Sequence, residues 1–167
     1  EFFREDKKAQ DLKQSINERF WAGNYYRDHL DTDDFDTLGN ALAIMLDIAP
    51  RERSVLIFEK LKELETDFGY RANNTRFPRL KSAGETGMMR RADQFGTVWP
   101  FIHGFVILAL LKTGMAKEAR EEFTKWDRLP GFFEWYDPET GRGCGGRDQL
   151  WNAALYLVAS KAINRSA

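Results

Sequence analysis

The stretch Phe101-Ile102-His103-Gly104-Phe105-Val106-Ile107-Leu108-Ala109-Leu110-Leu111 carries apolar side chains nearly all the way round a helix. A helix of that kind needs cover on every side, whereas an amphipathic one can keep a face in water. The helix spans roughly Val98 to Thr113. The segment after it, roughly Ala116 to Trp126, is amphipathic, with Lys117, Glu118, Arg120, Glu121, Glu122 and Lys125 on its wet side. The pattern repeats outward in both directions. Roughly Pro50 to Phe68 is amphipathic, with Pro50 suited to a first helical turn. Roughly Asp36 to Ile48 is almost wholly apolar, and roughly Arg4 to Trp21 carries one stripe of Ala9, Leu12, Ile16 and Phe20. The last segment, roughly Asp148 to Ile163, is again apolar over most of its circumference.

The order is therefore wet, dry, wet, dry, wet, dry. Two arrangements satisfy it: three inner helices backed by three outer ones in a ring of αα-hairpins, or a compact bundle with three central helices. The connections separate them. Outer helices are entered through short links, Ala49-Pro50 and Gly114-Met115. Inner helices are entered through long ones, residues 22–35, 69–97 and 127–147. Antiparallel hairpins in an array put connections of one kind at one end, so the three long loops should gather at the N-terminal ends of the inner helices. Long structured loops on a rigid scaffold are where function concentrates. The expected fold is all-α, with αα-hairpins in two concentric layers amounting to about half of an (α/α)6 toroid. Residues 1–167 are expected to form a single domain of three helical hairpins.

The composition narrows the function classes. Lys and Arg number 25 against 26 Asp and Glu, a net charge of −1, so nucleic acid and anionic membrane are poor partners. One cysteine, Cys144, excludes an internal disulfide framework and a Cys-rich zinc site. No apolar run reaches the length of a membrane span, and the first residues do not read as a signal peptide, an absence that with the lone cysteine points to the cytoplasm. No cofactor and no metal are expected. The acids Asp28, Asp31, Asp33, Asp34 and Asp36 lack the glycine and closing glutamate of a calcium loop, and helix capping explains them better. His29 and His103 read as structural imidazoles.

The third long loop contains Phe132-Phe133-Glu134-Trp135-Tyr136-Asp137 and then Gly141, Gly143, Gly145 and Gly146. A carboxylate between aromatic rings is notable, because apolar neighbours alter its acidity and aromatic faces stack on sugar C–H groups. The glycines lack a Walker pattern and a preceding strand, so a phosphate loop is discounted. The second loop ends in Asp93-Gln94-Phe95-Gly96-Thr97-Val98-Trp99-Pro100, where Trp-Pro at a helix start aims an indole toward the loop end. Its arginines, Arg71, Arg76, Arg79, Arg90 and Arg91, read mostly as a solvated face.

Four blocks in order bring a family into view: Asp34-Phe35-Asp36-Thr37-Leu38-Gly39-Asn40, Gly96-Thr97-Val98-Trp99-Pro100-Phe101, Phe133-Glu134-Trp135-Tyr136-Asp137, and Gln149-Leu150-Trp151-Asn152-Ala153-Ala154. Across roughly Asp34 to Lys161 they resemble the C-terminal half of six-hairpin glycosidases, of the amylo-α-1,6-glucosidase (glycogen-debranching) type and of the neutral/alkaline invertases. The resemblance implies an (α/α)6 barrel and an inverting glycoside hydrolase acting on α-glucosidic or related oligosaccharide bonds. It places the general base at Glu134. It implies substrate contacts from Gln94, Trp99, Trp135, Tyr136, Gln149 and Trp151. Phe133 stands where the family has proline. The family's general acid belongs to the N-terminal half of the barrel, and no aspartate here takes its role. The chain then resembles a fragment of a larger catalytic domain, whose partners would be an oligosaccharide and either the missing half-barrel or a second copy. A non-catalytic helical module that binds carbohydrate or holds an assembly is the competing reading. A histidine-dependent sugar epimerase ranks below both.

Overall fold

The computed structural model describes residues 2–74 and 96–166, with side chains from Asp6 onward. Six α-helices run through them: α1 Phe2–Arg19, α2 Thr37–Met45, α3 Arg51–Leu61, α4 Pro100–Lys112, α5 Ala116–Asp127 and α6 Leu150–Arg165. The all-dry α4 lies at the centre, packed between α2 and α6 with α5 behind it. Val106, Ile107 and Ala109 are fully enclosed there. Its start follows local rules: Trp99 is extended and Pro100 sits in the first turn, where a missing N–H costs nothing. α3 backs α2 through Ile57, Phe58 and Leu61. α1 leans on the far end of α2, where Asn17 Nδ2 donates to the Ile48 carbonyl at 2.9 Å. The fold is thus all-α, with αα-hairpins in an inner layer (α2, α4, α6) and an outer one (α1, α3, α5). No helix among the described residues is long and apolar enough to cross a membrane.

Most helix ends shift by one to three residues from the sequence expectation, α2 for example closing at Met45 rather than Ile48, and two differences have a visible local cause. The third helix was expected to reach Phe68 but stops at Leu61, passes through a 3-10 turn at Lys62–Leu64, and reverses in a hairpin of β1 (Glu65–Thr66) and β2 (Gly69–Tyr70). Thr66 causes the reversal: its hydroxyl donates to the Gly69 carbonyl at 2.7 Å and accepts from the Phe68 amide at 3.1 Å. Gly69 adopts φ +121°, which side chains disfavour. The last helix begins at Leu150 rather than Asp148, because Asp148 takes φ +55° and Gln149 is extended.

A third difference concerns packing. α6 was expected to be enclosed, yet Leu150 is 82% and Leu157 67% exposed, with Trp151 and Val158 about half exposed. These residues share one stripe at helical spacing. α6 packs on α4 and α5, and among the described residues nothing covers this stripe.

Short backbone pairings join the three long loops. Arg27 pairs with Phe35, Asp36 with Asn73, Arg71 with Val98, and Val98 with Tyr136. The Val98 and Tyr136 amides and carbonyls exchange hydrogen bonds of 3.1 and 2.8 Å. Thr37, opening α2, donates through its amide to the Ala72 carbonyl and through its hydroxyl to the Arg71 carbonyl. The strap runs across the N-terminal ends of α2 and α4, so the loop end is a continuous surface. Asn40, fully buried on α2, anchors its first part by accepting from the Tyr26 amide and donating to the Tyr26 carbonyl.

Candidate active site

The third long loop folds into a hairpin, β3 (Trp135–Tyr136) against β4 (Gly143–Cys144), with Trp135 opposite Cys144 and Tyr136 opposite Gly143. The glycine run explains itself here. A side chain at Gly143 would overlap the Phe133 ring, and one at Gly145 would overlap the Glu134 side chain. Gly145 also holds φ +72°. The glycines let two strands approach closely, a role that sequence patterning alone did not reveal. Their signal was present in the alternate spacing of Gly141, Gly143 and Gly145.

That approach fixes Glu134. Its amide donates to the Gly146 carbonyl at 2.7 Å, and its carboxylate Oε2 accepts from the Gly146 amide at 2.9 Å. Oε1 takes no hydrogen bond among the described residues, and the residue is half-buried. The start of α6 grips the segment just before it. The Gln149 amide donates to the Phe132 carbonyl at 2.9 Å, and Asn152 Nδ2 donates to the Phe133 carbonyl at 2.6 Å. Asn152 is fully buried and was not singled out by the sequence reading.

The aromatic residues divide into two groups. Trp99, capping α4, lies edge-on to Phe101 at 6.0 Å, and Phe101 lies 5.2 Å from Trp151 in the first turn of α6. The three rings bridge two inner helix starts. Trp135 and Tyr136 are different: Trp135 is 8% exposed and Tyr136 fully buried. The Tyr136 hydroxyl donates to the Gly131 carbonyl and accepts from the Phe133 amide at 3.1 Å. Both rings are enclosed by the described residues, and the Tyr136 hydroxyl ties the hairpin back to Gly131 and Phe133. Gln149 caps α6, with its side-chain amide close to Gly146. Gln94 lies outside the described residues, as do Arg76, Arg79, Arg90 and Arg91. A concavity of about 430 Å³ lies elsewhere, lined by Lys60, Glu63, Leu64, Arg71, Asn73, Asn74 and Gly96.

The lone histidines have separate settings. His29 is exposed, 4.0 Å from Asp31. His103 is enclosed on the side of α4 that faces α5, its Nε2 bonded to the Glu122 carbonyl at 2.9 Å. Burial pushes its imidazole down to about 4, so it is neutral at pH 7. Asp36 caps α2 by accepting from the Gly39 amide, the capping role read from the sequence.

Comparison with known proteins bears on this geometry. The family profile described as a mannosylglycerate hydrolase MGH1-like glycoside hydrolase domain matches residues 5–152. The chain is 40% identical over 65 residues to a mannosylglycerate hydrolase of Rubrobacter radiotolerans, covering 37% of this chain and 15% of that protein. It is 28% identical over 158 residues to cytosolic invertase 1 of Oryza sativa subsp. japonica, covering 86% of this chain and 28% of that protein. The structure superposes on the GH63 mannosylglycerate hydrolase of Thermus thermophilus, in complex with glucose, with a TM-score of 0.64 and 17% identity. That match covers 87% of this chain and 38% of the other, and at such identity it establishes the fold alone. The chain therefore spans less than two-fifths of the length of each of these relatives.

Proposed function

This chain belongs to the mannosylglycerate hydrolase MGH1-like glycoside hydrolase family, and from that premise we propose that it forms the base-bearing part of a glycosidase that inverts the anomeric centre. Glu134 is the general base. Gly146 holds Oε2, which leaves Oε1 to draw a proton from the attacking water. The water oxygen bonds to the anomeric carbon as the glycosidic C–O bond breaks, and the leaving oxygen takes a proton from an acid. In inverting enzymes the two carboxyl groups stand roughly 6.5–9.5 Å apart, with the water between base and sugar. The acid is supplied from outside these residues, by the remainder of the barrel. Trp99, Trp151 and Gln149 are read as sugar contacts, and Gln94 is carried with them from the family resemblance alone. The observation that carries the reading is the pinned, half-buried Glu134 beside the joined starts of α4 and α6.

The substrate is a small glycoside or oligosaccharide. Mannosylglycerate is a candidate from the name of one relative, a sucrose-like glycoside from the resemblance to invertases, and α-1,6-linked glucosides from the resemblance to debranching enzymes. One unpaired Cys144 suits a reducing compartment, so the same reading places the protein in the cytoplasm. The test is Glu134→Gln in the complete protein that contains this chain. Hydrolysis across that panel should fall by roughly 10²–10⁴-fold. Ligand binding by calorimetry should persist, and NMR of the first-formed sugar should show the inverted anomer. Turnover unchanged by the substitution removes Glu134 from the mechanism. A chain that binds these sugars without any turnover in the complete protein supports the binding-module reading.

A further inference from the structure

Asn152 is a buried polar group that the proposed mechanism does not yet use. It is fully enclosed in the first turn of α6, a place where polar side chains usually face water. Its Nδ2 donates to the Phe133 carbonyl at 2.6 Å, while its Oδ1 is buried with no hydrogen-bond partner among the described residues. A carboxamide kept inside with its acceptor unfilled is costly, so its donor must earn the place. The carbonyl it holds belongs to the residue immediately before Glu134. One residue earlier, the Phe132 carbonyl is held by the Gln149 amide. On the far side, Gly146 holds the Glu134 amide and carboxylate.

We propose that Asn152 is a positioning residue for Glu134: by fixing the Phe133 carbonyl it orients the following peptide, so that the carboxylate meets the Gly146 amide and presents Oε1 outward. Its catalytic purpose rests on reading Glu134 as the base. The contact itself does not. Leucine has almost the same shape as asparagine but cannot donate. Aspartate is nearly isosteric and donates only while protonated. In this buried setting its carboxyl holds a proton at mildly acid pH and loses it as the pH rises, after which it repels the Phe133 carbonyl.

The test uses the complete protein labelled with 15N-glycine, carrying Asn152→Asp or Asn152→Leu, at a temperature where circular dichroism confirms the helices. The Gly146 amide resonance reports its bond to Glu134 and should move in Glu134→Gln. In N152D it should match the unsubstituted protein near pH 5 and depart from it by pH 8. Turnover should follow, near normal at the lower pH and down roughly ten- to a hundredfold at the higher. N152L should be displaced at both. If N152L does not fold, the two-pH comparison in N152D stands alone. A Gly146 resonance in N152D that tracks the unsubstituted protein at both pH values overturns the proposal. Retained hydrolysis in E134Q is a separate result: it removes the base assignment and the catalytic purpose of the clamp, whatever the amide resonance shows.

Discussion

Glu134 owes its setting to a residue with no side chain. Gly145 combines φ +72° with a close approach to the Glu134 side chain and the Trp135 indole. Gly145→Ala meets both obstacles. The backbone strain of a left-handed alanine costs about 1–2 kcal/mol, and the new methyl pushes the carboxylate off the Gly146 amide. A displacement near 1 Å at a reacting group costs on the order of a hundredfold in rate. The expected result in the complete protein is a fall in kcat of ten- to a hundredfold, with KM little changed and a modest drop in melting temperature. A variant that loses stability but keeps kcat would show that the glycine serves packing only. Asn40 offers the contrasting case, away from the chemistry. Asn40→Ala strands the buried Tyr26 amide and carbonyl, and chemical denaturation should show a loss of about 2–3 kcal/mol.

At the scale of elements, much was legible in the chain. The alternation of wet and dry helices required only that α4 be apolar all round and α5 on one side, and burial follows that pattern in α4 and α5 but not in α6. The gathering of the long loops follows from hairpin geometry. The hidden parts depended on contacts that no period records. Thr66 reverses the chain beyond α3 through two local hydrogen bonds. Trp135 and Tyr136 follow an acid as the rings of a sugar site would, and no sequence period shows that both are enclosed or that Tyr136 pairs with Val98. Asn152 is one polar residue in an apolar helix, and only its partner gives it meaning. The α4–α5 contact is a further example. His103 is neutral against the Glu122 carbonyl and carboxylate, with Lys125 bridging Glu122 and Glu65, and Tyr70 and Trp126 close by. Its folded value lies at about 4, below the ordinary 6.5. The folded state thus binds fewer protons, and the stabilisation is complete above the ordinary value and drains away as pH falls from there toward the folded one. Glu122 is shifted upward by burial, then opposed by Lys125. It works in the other direction, favouring the fold below its ordinary value and less so as pH rises. The His103 shift alone amounts to on the order of 3 kcal/mol. His103→Gln keeps a donor for the Glu122 carbonyl without titrating. Urea denaturation from pH 7 to pH 4.5 should show a shallower loss of stability than in the unsubstituted chain. Parallel curves would mean that another group governs the acid limb.

On the scale of the whole molecule, an open array has ends, and inner helices at an end show a flank that a closed ring would cover. Here that flank is the stripe of Leu150, Trp151, Leu157 and Val158 on α6. Leu12 and Leu46 are exposed near the other end, beside a shallow groove between α1 and α2 lined by Ala9, Ile16 and Ile48. Apolar stripes of this kind mark an interface rather than a finished surface. The proposed function makes the occupant the remainder of the barrel, which also brings the acid, in keeping with relatives more than twice the length of this chain. Leu157→Lys tests that cover without touching the site. In the complete protein a lysine there must enter an apolar contact, and burying a leucine side chain is worth about 1.5–3 kcal/mol before any cost of the charge. Melting temperature should therefore fall by several degrees in the complete protein. In the 167-residue chain alone, where the position faces water, the same substitution should change stability by no more than about 0.5 kcal/mol and raise solubility. Equal, small effects in both settings would mean that α6 keeps its stripe open to solvent, and that the acid reaches Glu134 by some route other than ring closure on this helix.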